Sequence, residues 1–435
     1  MGEETAPELS IEQRRQQLRR AIVASAIGTA IEWYDFFLYG VAAALVFPRV
    51  FFPQSDALTG QLVAFATNFV GFAARPLGAA IFGHYGDRIG RKVSLIATLL
   101  LMGVATTAIG LVPGYGSIGI YGAVLLTVFR ALQGIGVGGE WGGSVLLAAE
   151  WSSPKHRGFV ASWPQFGAPA GLVLANGAFY LATKYTGDAF MTWGWRVPFL
   201  VSLVLVLIGF YIRVGILETP AFSRARRENR LAKQPLVEVL KKYPREVVLT
   251  ALLRTGQQTP FYIFSGFVLT YGVAALGFSR GELLRDVILS ALLSMVAIPF
   301  WGHVSDRLDR RKVIAFGALV MIPWVFVYYA LLDTRVAWMA LVAIVIAQPL
   351  HDIQYGPQAA VIAESFPAHV RYSGASLGYQ LASITAGGPA PLVATALYRR
   401  YHSSQPIAVY VALCALVSFV SLLLLPKPTP EVADD

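Results

Sequence analysis

Long apolar stretches alternate with short polar ones along almost the whole chain. Each stretch is long enough to cross about 30 Å of hydrocarbon, which takes about 20 residues of α-helix. Twelve such spans are predicted, six in each half, so the pattern predicts an all-α membrane protein. The predicted spans cover residues 21–47, 60–85, 93–112, 118–149, 158–183, 195–213, 247–275, 284–304, 313–332, 336–363, 373–398 and 406–425.

A polar motif between two apolar stretches occurs twice. Residues 83–92 (Gly-His-Tyr-Gly-Asp-Arg-Ile-Gly-Arg-Lys) return at 302–311, 219 positions later, with Gly, His, Asp, Arg and Arg in the same places. A second motif, residues 149–157, returns as residues 363–371 at an offset of 214. The chain is therefore predicted to contain two copies of one hydrophobic unit of about 200 residues.

Composition supports a membrane protein and removes several classes of function. The 435 residues are 56% hydrophobic and 14% charged, against about 25% charged residues in soluble domains. The net charge of +10 therefore suggests basic cytoplasmic loops and not nucleic-acid binding. The sequence shows no nucleophile–base or metal-ligand constellation, so neither an enzyme nor a metal or other cofactor is expected.

Charged residues also divide the chain and predict its orientation. A basic run from Arg213 to Arg245 separates the two sets of spans. We interpret it as a solvated cytoplasmic linker over residues 214–246, between six-helix bundles at 1–213 and 247–435. Alternate loops, beginning with the N-terminal one, are strongly basic. The positive-inside rule therefore places both termini in the cytoplasm and gives the two halves parallel topology.

The repeated loop and several further motifs resemble one group of transporters. Residues 83–92 look like the loop signature of the major facilitator superfamily. Other segments are similar to the metabolite:H+ symporter family within that superfamily. They are residues 32–36, 75–78, Arg130 with 133–134, 138–143, 218–220, 355–358 and 371–376.

This resemblance implies two parallel six-helix repeats that work by alternating access around a site between them. Members of the family move small carboxylates such as 2-oxoglutarate, citrate and shikimate, or proline and betaine, with protons across the bacterial inner membrane. The resemblance thus implies a proton-coupled symporter of a small organic anion, expected to be a monomer in the lipid bilayer. A symporter of a zwitterion such as proline or betaine stays open, as does a receptor or sensor that binds without transporting.

The internal repeat separates two kinds of charged residue. Charges at matching places in both halves are expected to serve packing and gating, which both halves need. Exposed ion pairs contribute only about 0–1 kcal/mol each, so a gate needs a network; loops that merely anchor topology are the alternative. The matched charges are Asp87, Arg88, Arg91, Glu150 and Arg157 in the first half and Asp306, Arg307, Arg310, Glu364 and Arg371 in the second.

Arg75 and Arg130 lie within predicted spans and have no counterpart in the other half. A charge near mid-membrane costs at least about 2.5–3.5 kcal/mol, so each needs a partner or a water-filled cavity. Guanidinium binds carboxylate through two parallel hydrogen bonds, which makes Arg75 the first candidate for an anion clamp. A salt bridge from Arg75 to Asp35 or Glu32 is the alternative. Arg130 could contact substrate or bridge helices, and Arg254, a third candidate for substrate contact, could line the inner vestibule.

Five titratable residues are candidates for carrying the coupled proton. Glu32 and Asp35 lie three residues apart and so share one helix face, where desolvation and mutual repulsion favour protonation of one carboxylate. They could instead neutralise nearby arginines permanently. Glu140 is a further candidate on the fourth span. His351 and Asp352 lie in the tenth span between two prolines, where they could carry protons, contact substrate or satisfy backbone groups that proline frees.

Aromatic and amide side chains complete the candidate site. Tyr34, Gln257 and Tyr262 are candidates for substrate contact, although the aromatic residues of these spans could instead face lipid or form packing surface. Arg254 is followed by Thr, Gly, Gln and Gln, where family members often show an acidic residue and asparagine. Arg254 is therefore less strongly expected to be paired locally, so it could be freer to meet an anion, or the proton route could differ from that of the family. The glycine-rich run 134–139 matches a dinucleotide fingerprint only superficially, because no strand precedes it and it lies within a span.

Overall fold

The computed structural model of the protein describes residues 10–54, 57–228 and 231–427. Within these ranges the chain forms twelve long helical segments, numbered here α1 to α12. They are α1 (Ile11–Leu45), α2 (Ala57–Ile89), α3 (Arg91–Leu111), α4 (Tyr121–Ala149), α5 (Arg157–Thr186), α6 (Val197–Val214), α7 (Pro244–Tyr262), α8 (Arg280–Leu308), α9 (Arg310–Asp333), α10 (Ala337–Ala363), α11 (Arg371–Ala382) and α12 (Gln405–Leu424). The two termini, whose cytoplasmic location is predicted, lie outside the described residues.

Two of these segments continue beyond an irregular turn. α7 runs through a π-helical turn, Ile263–Phe267, into Val268–Ala274. α11 runs through a second π-helical turn, Ser383–Gly387, into Ala390–Tyr401. The two helices are joined near these turns, because Gln258 Nε2 donates a hydrogen bond to the hydroxyl of residue 383 at 3.2 Å. Such turns within a helix often occur at functional sites.

The helices overlap the twelve spans predicted from the hydrophobic pattern. Ten helical stretches of the described residues are long and apolar enough to cross a membrane, by length and composition. α1 begins ten residues before its predicted span, because Ser10 and Gln13 form a capping box that starts the helix in the basic N-terminal segment. The predicted all-α fold of membrane-spanning helices is confirmed.

The helices of each half pack mainly on one another. In the first half α1 packs on α5, α2 on α4, and α3 on both α4 and α6. In the second half α7 packs on α12, α8 on α10, and α9 on both α10 and α12. Across the halves α5 packs on α8, and α2 packs on α11. These two cross-contacts are related by the repeat, since α2 and α8 hold equivalent places, as do α5 and α11. The proposed domain boundaries themselves stay a prediction.

The segment that joins the halves is partly helical. Residues 214–246 contain two short helices, Pro220–Arg227 and Pro235–Lys242, while residues 229 and 230 lie outside the described residues. The interpretation of Arg213 as part of a solvated basic run is wrong. Its side chain is only 2% exposed and lies inside the first half, at the last turn of α6.

Candidate functional site

Polar side chains from both halves meet at the middle of the bundle. Glu32 on α1 and Arg75 on α2 come from the first half, and Arg254 and Tyr262 on α7 come from the second. Glu32 and Tyr262 each interact electrostatically with both arginines. Tyr379 on α11 lies under Arg254, with the guanidinium carbon 3.1 Å from the ring centroid. These five residues are referred to below as the central cluster.

The charges of the central cluster are buried without being paired. Arg75 is 2% exposed, Arg254 1% and Glu32 3%. Charged side chains at such depth are normally paired with an opposite charge. Neither arginine forms a salt bridge within the described part of the chain. The alternative of a salt bridge from Arg75 to Asp35 or Glu32 is therefore not found.

Aromatic rings surround the arginines of the first half. The guanidinium carbon of Arg75 lies 4.5 Å from the ring centroid of Phe36 and 4.7 Å from that of Phe72. The guanidinium carbon of Arg130 lies 4.8 Å from Phe36 and 4.2 Å from Tyr39. A desolvated cation–π contact contributes about 2 kcal/mol or more. The rings thus stabilise the positive charges without neutralising them, and the charge stays available to an anion.

Several polar atoms around the cluster have no hydrogen-bond partner in the described structure. A buried polar group without a partner costs about 1–3 kcal/mol, and more if it is charged. A small polar ligand that reached these donors and acceptors would satisfy them. The atoms are Glu32 Oε2, Arg75 Nη2 and Arg254 Nε.

An aromatic layer closes one side of the cluster. The ring of Tyr262 lies 5.4 Å from that of Phe72 and 6.3 Å from that of Phe36, and both contacts join the second half to the first. Phe72 precedes Arg75 by one helical turn, whereas Asp87 follows it by about three turns. The aromatic layer therefore lies on the side of Arg75 that faces away from the repeated loops.

In the first half a glutamine links an arginine to a carboxylate. Arg130 Nη1 donates to Gln133 Oε1, and Gln133 Nε2 donates to Thr106 Oγ1 at 2.8 Å. Thr106 Oγ1 donates in turn to Asp35 Oδ2 at 2.9 Å. The hydroxyl of Ser202 on α6 donates to the other carboxylate oxygen. The carboxylate of Asp35 is thus held by hydroxyl groups and is linked to Arg130 through Thr106 and Gln133.

The second half contains a comparable chain of hydrogen bonds. Arg254 Nη1 donates to Gln257 Oε1 at 2.9 Å, and Gln257 Nε2 lies 2.7 Å from His351 Nε2. His351 Nδ1 lies 2.9 Å from Asp352 Oδ1, and the Ser294 hydroxyl donates to Asp352 Oδ2 at 2.5 Å. All five side chains are buried. Both polar ends of Gln257 are therefore engaged within the protein. The expectation that Arg254 is less paired locally is wrong, because the neutral Gln257 accepts a hydrogen bond from it one turn along the same helix.

Two of the predicted site residues lie away from the cluster. Glu140 forms a salt bridge with Arg213 and accepts a hydrogen bond from Thr98 Oγ1 at 2.8 Å. Tyr34 donates to the backbone oxygen of Pro198 at 2.7 Å, inside the first half. The structure thus gives Glu140 and Tyr34 partners within one bundle. Arg213 went unrecognised because it lies at the end of an apolar span, beside the basic linker.

At the end of the bundle that carries the repeated loops, each half caps a helix of the other. Asp87, near the end of α2, accepts hydrogen bonds from the backbone N–H groups of Tyr372 and Ser373 at 3.2 and 2.8 Å, in the first turn of α11. Asp306, near the end of α8, accepts two such bonds from the first turn of α5, both at 2.8 Å. A carboxylate at a helix N-terminus is stabilised by the exposed N–H groups and the helix dipole.

Salt bridges surround both caps, and the two sets are referred to below as the gate networks. They are Arg91–Asp87, Arg91–Glu150 and Arg371–Glu150 on one side, and Arg310–Asp306, Arg310–Glu364 and Arg157–Glu364 on the other. Two of the predicted gating residues, Arg88 and Arg307, are exposed instead and take part in none of these salt bridges. The other eight matched charges are brought together, although their gating role stays a prediction.

Comparison with known proteins places this architecture in a family. A family model described as Major Facilitator Superfamily matches residues 25–387. The chain belongs to the major facilitator superfamily. Its resemblance to metabolite transporters of that superfamily is confirmed by curated relatives. It is 41% identical over 411 residues to the inner membrane metabolite transport protein YhjE of Escherichia coli K12, with 93% of each chain covered.

Two further relatives and one solved structure agree with this assignment. The shikimate transporter of Escherichia coli K12 is 39% identical, with 94% of each chain covered. The proline/betaine transporter of the same organism is 32% identical, covering 93% of this chain and 83% of that one. The proton:xylose symporter XylE of E. coli shares the fold, with a TM-score of 0.76, 18% identity, and 97% and 99% of the two chains covered. This superfamily member is thus a multi-pass membrane transporter and not an enzyme.

Proposed function

We propose that this transporter is a proton-coupled symporter of a small organic anion, working by alternating access across the bacterial inner membrane. Both termini are cytoplasmic in this proposal, and the functional unit is a monomer. The observation that carries the proposal is the buried pair Arg75 and Arg254, which has no salt-bridge partner in the described residues. One arginine comes from each half, so an anion held between them also joins the halves.

The substrate carboxylate would lie between the two arginines. Guanidinium groups bind carboxylates through paired, charge-assisted hydrogen bonds. Arg75 Nη2 and Arg254 Nε are buried without partners and supply donors from both halves. Without an anion, two positive charges repel each other across the interface between the halves. Binding of the anion removes this repulsion and favours the closed arrangement.

Glu32 couples this binding to a proton. Its carboxylate interacts electrostatically with Arg75 and Arg254 and with Glu140. An ionised Glu32 would act as an internal anion for the two arginines and compete with the substrate. A proton on Glu32 removes this competitor, so the substrate carboxylate takes its place. The carrier then crosses either loaded with proton and substrate or empty with Glu32 ionised.

Further protons have candidate carriers in each half. Asp35 in the first half and the His351–Asp352 pair in the second are buried and linked to Arg130 and Arg254 through glutamines. Glu140 is less suited to this role, since it is engaged with Arg213 in an ion pair. The gate networks would close the cytoplasmic side of the cluster, while the aromatic layer closes the other side.

One observation favours a zwitterionic substrate as the second candidate. The aromatic rings around Arg75 could also face a quaternary ammonium group, which aromatic rings bind well. A relative 32% identical to this chain is a proline/betaine transporter. In that case one arginine would hold the carboxylate, and the aromatic layer would hold the cationic end.

The test is proton uptake by the purified protein in liposomes that contain a pH dye. Shikimate, a dicarboxylate, an aromatic acid and betaine are added in turn. We expect acidification with one class of acid, lost in Arg75→Gln and Arg254→Gln. The matched control is Arg88→Gln, which removes an exposed arginine and should leave uptake intact. Acidification with betaine alone would favour the zwitterion, and counterflow without acidification would refute proton coupling. Binding without any uptake would indicate a sensor.

A further inference from the structure

Gln257 lies between Arg254, which can only donate hydrogen bonds, and His351, which can gain a proton. Arginine has no hydrogen-bond acceptor, so the atom of Gln257 that faces Arg254 Nη1 at 2.9 Å must be Oε1. The amide nitrogen of Gln257 then donates to His351 Nε2, at 2.7 Å. His351 is therefore neutral in this arrangement, and its proton lies on Nδ1, from which it is donated to Asp352 at 2.9 Å.

A second proton on His351 does not fit this arrangement. Imidazolium carries N–H groups on both nitrogens, so the new Nε2–H would point at the NH₂ group of Gln257. His351 and Gln257 are 0% and 2% exposed, so water cannot separate the two donors. A half turn of the Gln257 amide turns Oε1 towards His351. The same turn brings the NH₂ group of Gln257 to Arg254 and breaks the hydrogen bond between Arg254 and Gln257.

We infer that Gln257 is the switch that frees Arg254 Nη1 for the substrate when His351 is protonated. With His351 neutral, Arg254 Nη1 is engaged by the carbonyl oxygen of Gln257. With His351 charged, that oxygen turns away, and the incoming amide N–H groups direct the guanidinium towards an anion in the central cluster. This inference rests on the proposed proton-coupled transport and assigns Gln257 as a positioning residue, in place of direct contact with the substrate.

The first half supplies an internal comparison, because Gln133 has the same spacing to Arg130. There the Thr106 hydroxyl lies between the glutamine and Asp35, and a hydroxyl both donates and accepts. When Asp35 gains a proton, the Thr106 hydroxyl can turn to the backbone oxygen of Met102, 2.9 Å away, and accept from Asp35. Gln133 then keeps its orientation. The first half therefore lacks the forced turn of the amide, and Gln133 is a matched control.

The surroundings of His351 contain few other groups that could drive the same change. Asp352 accepts from Nδ1 in both charge states and stabilises the imidazolium. Tyr355 on the same helix has its ring centroid 5.3 Å away, and Tyr379 of α11 lies beside Tyr355. The charged and titratable groups that face His351 are thus Asp352 and Tyr355 from α10 and Arg254 from α7. Tyr379 from α11 lies behind Tyr355, and the Ser294 hydroxyl of α8 donates to Asp352.

The test follows His351 by NMR in purified, ligand-free protein labelled with ¹⁵N-histidine. His351→Asn identifies its signal among the six histidines. We expect the neutral ring to carry its proton on Nδ1. Arg254→Met should raise the titration midpoint of His351 by about one pH unit, the effect of one charge-assisted hydrogen bond. In the background of Gln257→Met the same change should have less than roughly half that effect, since only direct charge repulsion is relieved.

Two further variants keep the result interpretable. In Gln257→Glu the carboxylate accepts from both Arg254 and His351 without turning, so the titration midpoint of His351 should rise even with Arg254 in place. Gln133→Met should leave that midpoint unchanged. A neutral ring protonated on Nε2, or equal effects of Arg254→Met in both backgrounds, would overturn the switch. These measurements contain no substrate. Failure of every acid in the liposome panel to carry protons would therefore count against the proposed function, while the NMR result decides the role of Gln257.

Discussion

The aspartates that cap helices of the opposite half allow a quantitative prediction about gating. Replacing Asp87 by asparagine keeps the shape of the side chain and one acceptor oxygen. It removes the charge and one of the two acceptors that receive the N–H groups of Tyr372 and Ser373. The closed arrangement of the two halves should lose stability, whereas an open arrangement, in which these groups face water, should be little affected.

The size of the effect follows from the bonds that change. Two hydrogen bonds to a charged acceptor contribute about 1.5–3 kcal/mol each, and the single neutral bond left to asparagine about 0.5–1.5 kcal/mol. The closed state therefore loses about 2.5–4.5 kcal/mol relative to the open state. Because 1.4 kcal/mol corresponds to a factor of ten, the ratio of open to closed protein should rise roughly 60- to 1,600-fold. Asp306→Asn should act similarly, since Asp306 also accepts two bonds across the halves.

Thiol labelling measures this population. The chain has one cysteine, Cys414, which Cys414→Ser removes. Ser376→Cys then places a thiol on a side chain that is 0% exposed and packs against Gly142 of the other half. The labelling rate of purified protein in detergent should rise with the open population in Asp87→Asn.

Asp309→Asn is the matched control, because Asp309 accepts from the N–H groups at the start of α9 within its own half, one of them at 2.9 Å. This variant removes the charge from a helix cap without changing a contact between the halves, so it should leave labelling of the buried thiol nearly unchanged. An unchanged labelling rate in Asp87→Asn, or an equal rise in Asp309→Asn, would refute the reasoning.

Three further predictions concern the rest of the molecule. Arg213→Met should lower the free energy of unfolding by about 3–5 kcal/mol, because it leaves a buried carboxylate without its partner; thermal unfolding should show the loss, and adding Glu140→Gln should recover part of it. Gly83→Ala would place a Cβ 2.8 Å from the backbone of α11 in the other half, so the closed arrangement should be destabilised and the Ser376→Cys thiol should label faster. Gly177→Ala, with nothing within 4 Å of its Cβ, should leave the labelling rate unchanged. Asp35→Asn should reduce proton uptake in liposomes while substrate counterflow persists.

The gate networks could be predicted from the sequence because the repeat imposes one spacing twice. Asp87 and Arg91 are four residues apart, which places both side chains on one helix face; they form one of the salt bridges. Arg88 also has a counterpart in the second half, but it follows Asp87 by one residue and points about 100° away around the helix. A charge that is matched in both halves has a similar environment in each half. That environment can be exposed, as for Arg88 and Arg307, or buried, so the match alone does not identify a residue of the gate networks.

The hydrogen-bond chains of the site could not be predicted in the same way. Gln257 and His351 are 94 residues apart, and Glu140 and Arg213 are 73 residues apart. Such pairs depend on how two helices pack, which hydrophobic spacing does not determine. One local signal was present in the sequence: an arginine is followed three residues later by glutamine in both α4 and α7. Residues at that spacing share a helix face, so the pairing of each arginine with its glutamine could have been inferred.

The two ends of the site differ in what opening costs, and this difference fits a symporter. The gate networks rest on helix N-termini and ion pairs at the end of the bundle, such as Arg310 and Glu364 at 17% and 15% exposure, and water can solvate these groups when the halves separate. In the closed state water cannot solvate the arginines of the central cluster, because they are buried. Closing around an empty site with Glu32 protonated therefore leaves two unpaired charges buried, whereas closing around a bound anion pairs them. On the proposed mechanism the closed state is reached with anion and proton together, or with neither.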